Sequence, residues 1–205
     1  MNKHTGSKFV LHAGCGMPSP NKLHPIFRGQ DWHEIRMDID PAVKPDVIAD
    51  MTSLSRFGDC SVDAVWSSHN LEHLHDHEVP RCLGEFYRVL KNNGFVLVTL
   101  PDLEAVAQLV LEGRLEAVAY QSPAGPITAL DMLFGYRRSI EAGNRYMMHK
   151  TGFTQARLER VLRVAGFDRV FIRADKHMAL WALGLMPDAP LEIVPLVFRQ
   201  QASPS

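Results

Sequence analysis

Residues 8–16 read KFVLHAGCG. A short, largely apolar run ending in glycine fits a strand buried on both faces. Gly14 and Gly16 then stand where the backbone must turn tightly and let a ligand come close. Further runs follow along the chain: EIRMDID at 34–40, PDVIAD at 45–50, VDAVWSS at 62–68 and FVLVTLP at 95–101. The last is the richest in strand-forming residues. Between the fourth and fifth lies EVPRCLGEFYRVLKNNG, residues 78–94. Its apolar residues Val79, Cys82, Leu83, Phe86, Val89 and Leu90 fall on one helical face. Pro80 fits only its first turn, Asp76 is placed to cap it, and Asn92-Asn93-Gly94 reads as a stop.

A second helix is expected from the capping Thr154 to Gly166, with Leu158, Val161, Leu162 and Ala165 on its buried face. The runs RVFIRAD (169–175) and HMALWALGL (177–185) read as a strand pair joined by a short turn. The first crossover, residues 17–33, carries Pro18, Pro20 and Pro25, so only a short helix near residues 21–28, or none, is expected there. Strands alternating with helices predict an α/β fold: a Rossmann-like, doubly wound, mostly parallel sheet.

Bulk properties narrow the function. The 205 residues suit one domain, taken as 1–205. With 22 basic and 23 acidic residues, net charge is -1, without the cationic surplus a general nucleic-acid binder needs. Cys15, Cys60 and Cys82 are odd in number and unpaired in pattern, against a disulfide framework. The longest apolar run, residues 178–186, falls far short of the roughly 20 residues that span a bilayer. A cytoplasmic protein that does not enter membranes is the expectation.

Three groups at consecutive strand ends form one candidate crevice. The Gly14–Gly16 turn lacks the third glycine of a dinucleotide fingerprint, which disfavours a nicotinamide. Asp38, at the end of the second strand, can accept both hydrogen bonds of a ribose diol. Asp50, after the third, can accept from an exocyclic amine.

In this order, VLHAGCG, MDIDP, IADMTSL, DAVWSSHNLEHL, EFYRVLKNNGFVLVTLPD and TGFTQARLERVLRVAGF resemble class I S-adenosylmethionine-dependent methyltransferases, closest to the small stand-alone type called type 11. The resemblance covers residues 8 to 185 apart from 103–148. It implies seven strands with the last antiparallel, and S-adenosylmethionine as cofactor with S-adenosylhomocysteine as product. It implies that Ala13, Gly14, Cys15 and Gly16 meet the methionine part and that Asp38, with Ile39 beside it, holds the ribose. Asp50 and the Met51 backbone would hold adenine, while Ser67, Ser68 and His69 would border the sulfonium. One departure stands out: His12 replaces the acid usual two residues before the first glycine.

The same loop contains His69-x-x-Glu72-His73, a pattern that grips zinc when both histidines sit on a helix. The resemblance instead puts His69 at a strand end and His73 past a turn, so the expectation is no metal. Trp66 and Trp181 are expected in the core, and Asp102 as a helix cap. The insertion 103–150 is expected to cover the crevice. Over 137–150, Arg137, Arg138, Arg145 and Lys150 stand against Glu141, which points to a carboxylate or phosphate on a small-molecule acceptor. Arg137, Arg138, Arg145 and Tyr146 are thus the substrate-binding candidates, with Met147 and His149 lining the inner side. His69 and His149 are the candidate catalytic bases, needed for an oxygen acceptor. The competing reading is a catalytically silent cofactor-binding or partner module.

Overall fold

The computed structural model of the chain describes residues 6–19 and 21–199. Its strands are β1 (Lys8–Ala13), β2 (Trp32–Asp38), β3 (Val47–Ile48), β4 (Val62–Ser68), β5 (Leu90–Pro101), β6 (Val118–Ser122), β7 (Gly125–Thr128), β8 (Arg169–Ala174) and β9 (Ala179–Leu185). Its helices are α1 (Val79–Val89), α2 (Leu103–Leu111), α3 (Ala129–Phe134), α4 (Arg137–Glu141), α5 (Gln155–Val164) and α6 (Ile193–Phe198). Seven strands form one sheet in the order β3-β2-β1-β4-β5-β9-β8. All neighbours are parallel except β9, which runs antiparallel to both β5 and β8. β6 and β7 form a separate hairpin. The expected seven-stranded sheet with an antiparallel last strand is the fold observed.

Helices cover both faces because the central strands are apolar on both. In β5, Phe95 to Leu100 are all buried. One face packs on α1 through Val79, Cys82, Leu83, Phe86 and Val89, and on α5 through Leu158 and Leu162. Each such fully buried large side chain contributes about 1.5–3 kcal/mol. The other face packs on Phe27 from a 3-10 turn at Pro25–Phe27, and on Val197 and Phe198 of α6. That turn is the short helix expected in the proline-rich crossover; Pro20 lies outside the described residues. Thr154 caps α5 through its hydroxyl, which accepts from the Arg157 amide, 3.2 Å. Gly166 follows at φ +112°. No helix among the described residues is long and apolar enough to cross a membrane.

Two details differ from the sequence reading. Asn92-Asn93-Gly94 does not end the helix; α1 stops at Val89 and these residues open β5. A register shift against β4 makes room for them, and a Cβ on Gly94 would lie 2.8 Å from the Asp63 carbonyl. Asp76 does not cap α1 either. Its carboxylate pairs with Arg157, and the turn before the helix is closed by Glu78, which accepts from the His75 amide at 2.7 Å.

Residues between β5 and α5 form a second small layer. Val106 and Leu109 of α2 pack on Ala129 and Met132 of α3. Both ends of this insertion are tied down: Leu103 N donates to Phe153 O (2.9 Å), and Lys150 N and Thr151 N donate to Glu72 O (2.8 and 3.2 Å).

Candidate functional site

Strand order reverses between β1 and β4, with β2 and β3 on one side and β5 on the other. A crevice outside the strand ends is expected at such a switch point. The structure has one there, of about 960 Å³. Gly14, Cys15, Gly16, Asp38, Ile39, Asp50, Ser68 and His69 line it.

The glycine turn is shaped by its neighbours. Gly14 and Gly16 have φ of +71° and +58°. A Cβ at Gly14 would meet Asn70 Oδ1 at 2.1 Å, and one at Gly16 would meet Lys22 Nζ at 2.3 Å. The Asn70 amide bridges the ends of β1 and β4, reaching Ala13 O (3.0 Å), Ser67 Oγ (3.2 Å) and Ser68 O (2.9 Å). Arg36 braces the turn from beneath by donating to Gly16 O, 2.6 Å.

Asp38 accepts from Gly16 N at 2.8 Å and Asp40 N at 3.0 Å. A carboxylate has about four lone-pair sites, so two remain for a ligand. Asp50 receives both the Thr52 amide and hydroxyl on Oδ1, each at 2.8 Å, which leaves Oδ2 available. Three of the cofactor-binding candidates do not line the crevice: Ala13, Met51 and Ser67. Ser67 and Ala13 are both buried, and the Ser67 hydroxyl donates to Ala13 O at 3.1 Å. Burial pushes the Cys15 thiol up to about 11, consistent with a residue that stays a thiol.

His12 also lines the crevice and is 3% exposed. Its Nδ1 lies 2.6 Å from Glu34 Oε1. A carboxylate only accepts, so Nδ1 donates and Nε2 keeps its lone pair. Burial, with help from the Lys22 and Arg36 charges, lowers the His12 pKa despite the Glu34 contact. Glu34 was missed in the sequence, because it meets His12 only through the pairing of β1 with β2.

The crevice continues over an aromatic floor of His24, Trp66 and Trp181, with the two indoles stacked at 5.8 Å. Both tryptophans were expected in the core. Trp66 is buried, but Trp181 is only half-buried, and both meet the crevice. His24 Nδ1 accepts from Ile26 N, 3.3 Å, a role open only to neutral imidazole. Burial, with a smaller push from Arg28, lowers its pKa from 6.5 to about 4. The unfolded chain therefore takes this proton first as pH falls. The stabilisation is complete above about pH 6.5, is lost between there and about pH 4, and amounts to about 3 kcal/mol. Thermal melts of wild type and His24→Asn should show the acid-side loss reduced in the variant. Equal losses in the two proteins would refute this role for His24.

On the far side, His69 holds φ +54° and its amide donates to Thr99 O, 2.8 Å. A non-glycine residue in that region costs about 1–3 kcal/mol and marks sites where geometry matters. His69 Nδ1 lies 3.2 Å from Oε1 of the buried Glu72. The His69 side chain is exposed; partial desolvation lowers its pKa, but the Glu72 hydrogen bond and charge turn the net shift upward. Burial likewise raises the Glu72 pKa, and His69, His73 and His149 outweigh it downward. Leu71–His73 form a 3-10 turn, so His69 and His73 do not stand one above the other on an α-helix.

Of the insertion 103–150, Ser122, Pro123 and Ala124 at the β6–β7 turn and Asn144 to Met148 reach the crevice, including Arg145, Tyr146 and Met147. Arg137 and Arg138 do not, which corrects the expectation for both. The Arg137 guanidinium donates to Asp131 Oδ1 at 3.0 Å, and this pair fastens α4 to α3. Asp131 is itself locked to Thr128 in a capping box. Arg138 is exposed beside the Gly125 turn. His149 lines a separate pocket of about 240 Å³ under the lid, with Glu72, Met132 and Lys150.

A family model described as "Methyltransferase domain" matches residues 11–98. No curated protein matches the chain. Among solved structures, a SAM dependent methyltransferase from Archaeoglobus fulgidus superposes with a TM-score of 0.54 at 19% identity, covering 83% of this chain and 65% of that one. This chain thus spans less than two thirds of that protein's length. A SAM-dependent methyltransferase from Methanosarcina mazei gives 0.57 at 15% identity, covering 88% and 93%. The 1,6-didemethyltoxoflavin-N1-methyltransferase of Burkholderia thailandensis, with bound 1,6-didemethyltoxoflavin and S-adenosylhomocysteine, gives 0.54 at 15%, covering 89% and 72%. Identities this low show shared fold. Over residues 11–98 the chain matches a methyltransferase-domain model, and its fold is the one shared by these S-adenosylmethionine-dependent methyltransferases.

Proposed function

We propose that the chain transfers a methyl group from S-adenosylmethionine to a small molecule seated between His69 and the lid. The observation that carries this is one crevice lined both by a positive-φ glycine turn with Asp38 and Asp50 and by His69, Arg145 and Tyr146. The free lone pairs of Asp38 suit the ribose diol, and Asp50 Oδ2 suits the adenine amine. Backbone groups of Gly14 to Gly16 can approach the methionine moiety because no side chain intervenes. His12 stands where an acid is usual. Its Nε2 can accept from the methionine ammonium, with the Glu34 charge behind Nδ1.

When bound, the cofactor supplies an electrophilic methyl on a sulfonium. The protein's part is to align the acceptor with it and exclude water. The β6–β7 turn and residues 144–148 supply the cover. For an oxygen acceptor, His69 takes the proton, oriented by Glu72 in the manner of an imidazole–carboxylate pair. Arg145 is the lid arginine at the crevice and favours an acceptor bearing carboxylate or phosphate. The fold similarity to the Burkholderia thailandensis enzyme, which holds S-adenosylhomocysteine together with 1,6-didemethyltoxoflavin, supports a small-molecule acceptor.

The test is transfer of labelled methyl from S-adenosylmethionine to a panel of small carboxylates and phosphate esters. With an accepted substrate, Arg145→Ala should raise KM by about tenfold and leave kcat nearly unchanged. Transfer only to neutral or cationic compounds, or an unchanged KM, would remove the anion preference. No transfer to any small molecule would count against the reaction itself.

A further inference from the structure

The turn after β4 and the return segment of the lid bring Glu72, His73 and His149 together. One ligand-type atom from each lies within 4.8 Å of the others. The sequence reading weighed zinc on His69 and His73; the folded chain assembles a different trio, completed by a histidine from the lid.

Two features of these groups suit a bound ion. His73 Nδ1 is 3.1 Å from Met148 O, and His149 Nδ1 is 2.8 Å from Met132 O. A carbonyl only accepts, so both Nδ1 atoms carry the proton, and Nε2 is the lone-pair atom each ring can offer. Metal-ligating histidines commonly hold their tautomer and orientation in this way. The second feature is Glu72. Oε1 meets His69, but Oε2 is buried and has no hydrogen-bond partner. Glu72 as a residue is 1% exposed. A buried carboxylate oxygen without a partner is rare in folded proteins and calls for an ion or a donor.

We propose that Glu72, His73 and His149 form a site for a divalent transition-metal ion that fastens the lid to the turn after β4. Two imidazoles and one carboxylate are a borderline donor set, suited to zinc, cobalt, nickel or ferrous iron rather than magnesium or calcium. Three protein ligands leave a coordination position open. Tetrahedral ligands at about 2.1 Å from an ion stand roughly 3.4 Å apart, so binding would draw the three groups inward. The backbone already holds the two segments in register, through the Lys150 and Thr151 amides on Glu72 O. His73 borders the main crevice, while Glu72 and His149 border the smaller pocket, so the ion lies at their junction. The inference is independent of methyl transfer, and its test uses no cofactor.

Cobalt(II) chloride is titrated into metal-stripped full-length protein, followed by calorimetry, visible absorption and thermal melting. One equivalent should bind with a Kd below about 10 μM, give ligand-field absorption and raise the melting temperature. His149→Ala and His73→Ala should each weaken binding at least about tenfold, the smaller end of what losing even a second-sphere partner does. The exposed stacked pair His75 and His77 is the adventitious alternative. A His75→Ala, His77→Ala double variant should therefore bind like wild type. Should His149→Ala fail to fold by circular dichroism, His73→Ala decides alone. The proposal is overturned by no binding at about 1 mM cobalt. It is equally overturned by binding that the His75/His77 variant loses and His73→Ala keeps.

Discussion

Gly14→Ala should cost the protein both stability and cofactor affinity. At φ +71°, an alanine pays about 1–2 kcal/mol for the left-handed backbone. Its Cβ would sit 2.1 Å from Asn70 Oδ1, so Asn70 must move. That side chain fastens the end of β1 to the end of β4 through Ala13 O, Ser67 Oγ and Ser68 O. Disrupting it adds about 1–3 kcal/mol. A total near 3 kcal/mol lowers the melting temperature by roughly 6–12 °C in a chain of this size. Displacing the turn should weaken S-adenosylhomocysteine binding by at least about a hundredfold, or about 2.7 kcal/mol. A double-mutant cycle separates the two causes. Asn70→Ala in the Gly14→Ala background relieves the clash, so the two losses should be less than additive. Fully additive losses would mean that Asn70 does not shape the turn.

Asp38→Ala is the second large effect. Hydrogen bonds to a charged group contribute about 1.5–3 kcal/mol each, and two ribose hydroxyls can reach the lone pairs left on this carboxylate. The variant should bind S-adenosylhomocysteine at least about tenfold more weakly, and a hundredfold loss is within reach. The Gly16 and Asp40 amides, at 2.8 and 3.0 Å, lose their acceptor too. Asp38→Asn retains one amide oxygen for them and should fall between wild type and Asp38→Ala. Unchanged calorimetric affinity in Asp38→Ala, with the fold intact, would reject the ribose assignment.

What could be read from the sequence had local causes. Apolar runs gave the sheet because central strands are buried on both faces, and Thr154 and Gly166 bounded α5 because caps are written into the residues themselves. Asp38 and Asp50 could be placed beside one crevice because the first ends β2 and the second follows β3 closely. The rest depends on contacts between distant segments. Asn70 clamps a turn at the end of another strand. Glu34 completes His12 only through the β1–β2 register. Gly94 opens β5 because of its close approach to the Asp63 carbonyl. Arg137 reads as available for substrate because its partner, Asp131, sits in the preceding helix and is brought to it only by the fold. His149 approaches Glu72 because the lid folds back over the sheet, which no spacing encodes.

The central claim is that the β1–β4 crevice binds S-adenosylmethionine and its demethylated product. Calorimetric titration of the full chain with S-adenosylhomocysteine tests it most directly. One-to-one binding with a Kd of about 1–100 μM is predicted. Folded protein that releases no binding heat with either compound up to about 1 mM would contradict the account.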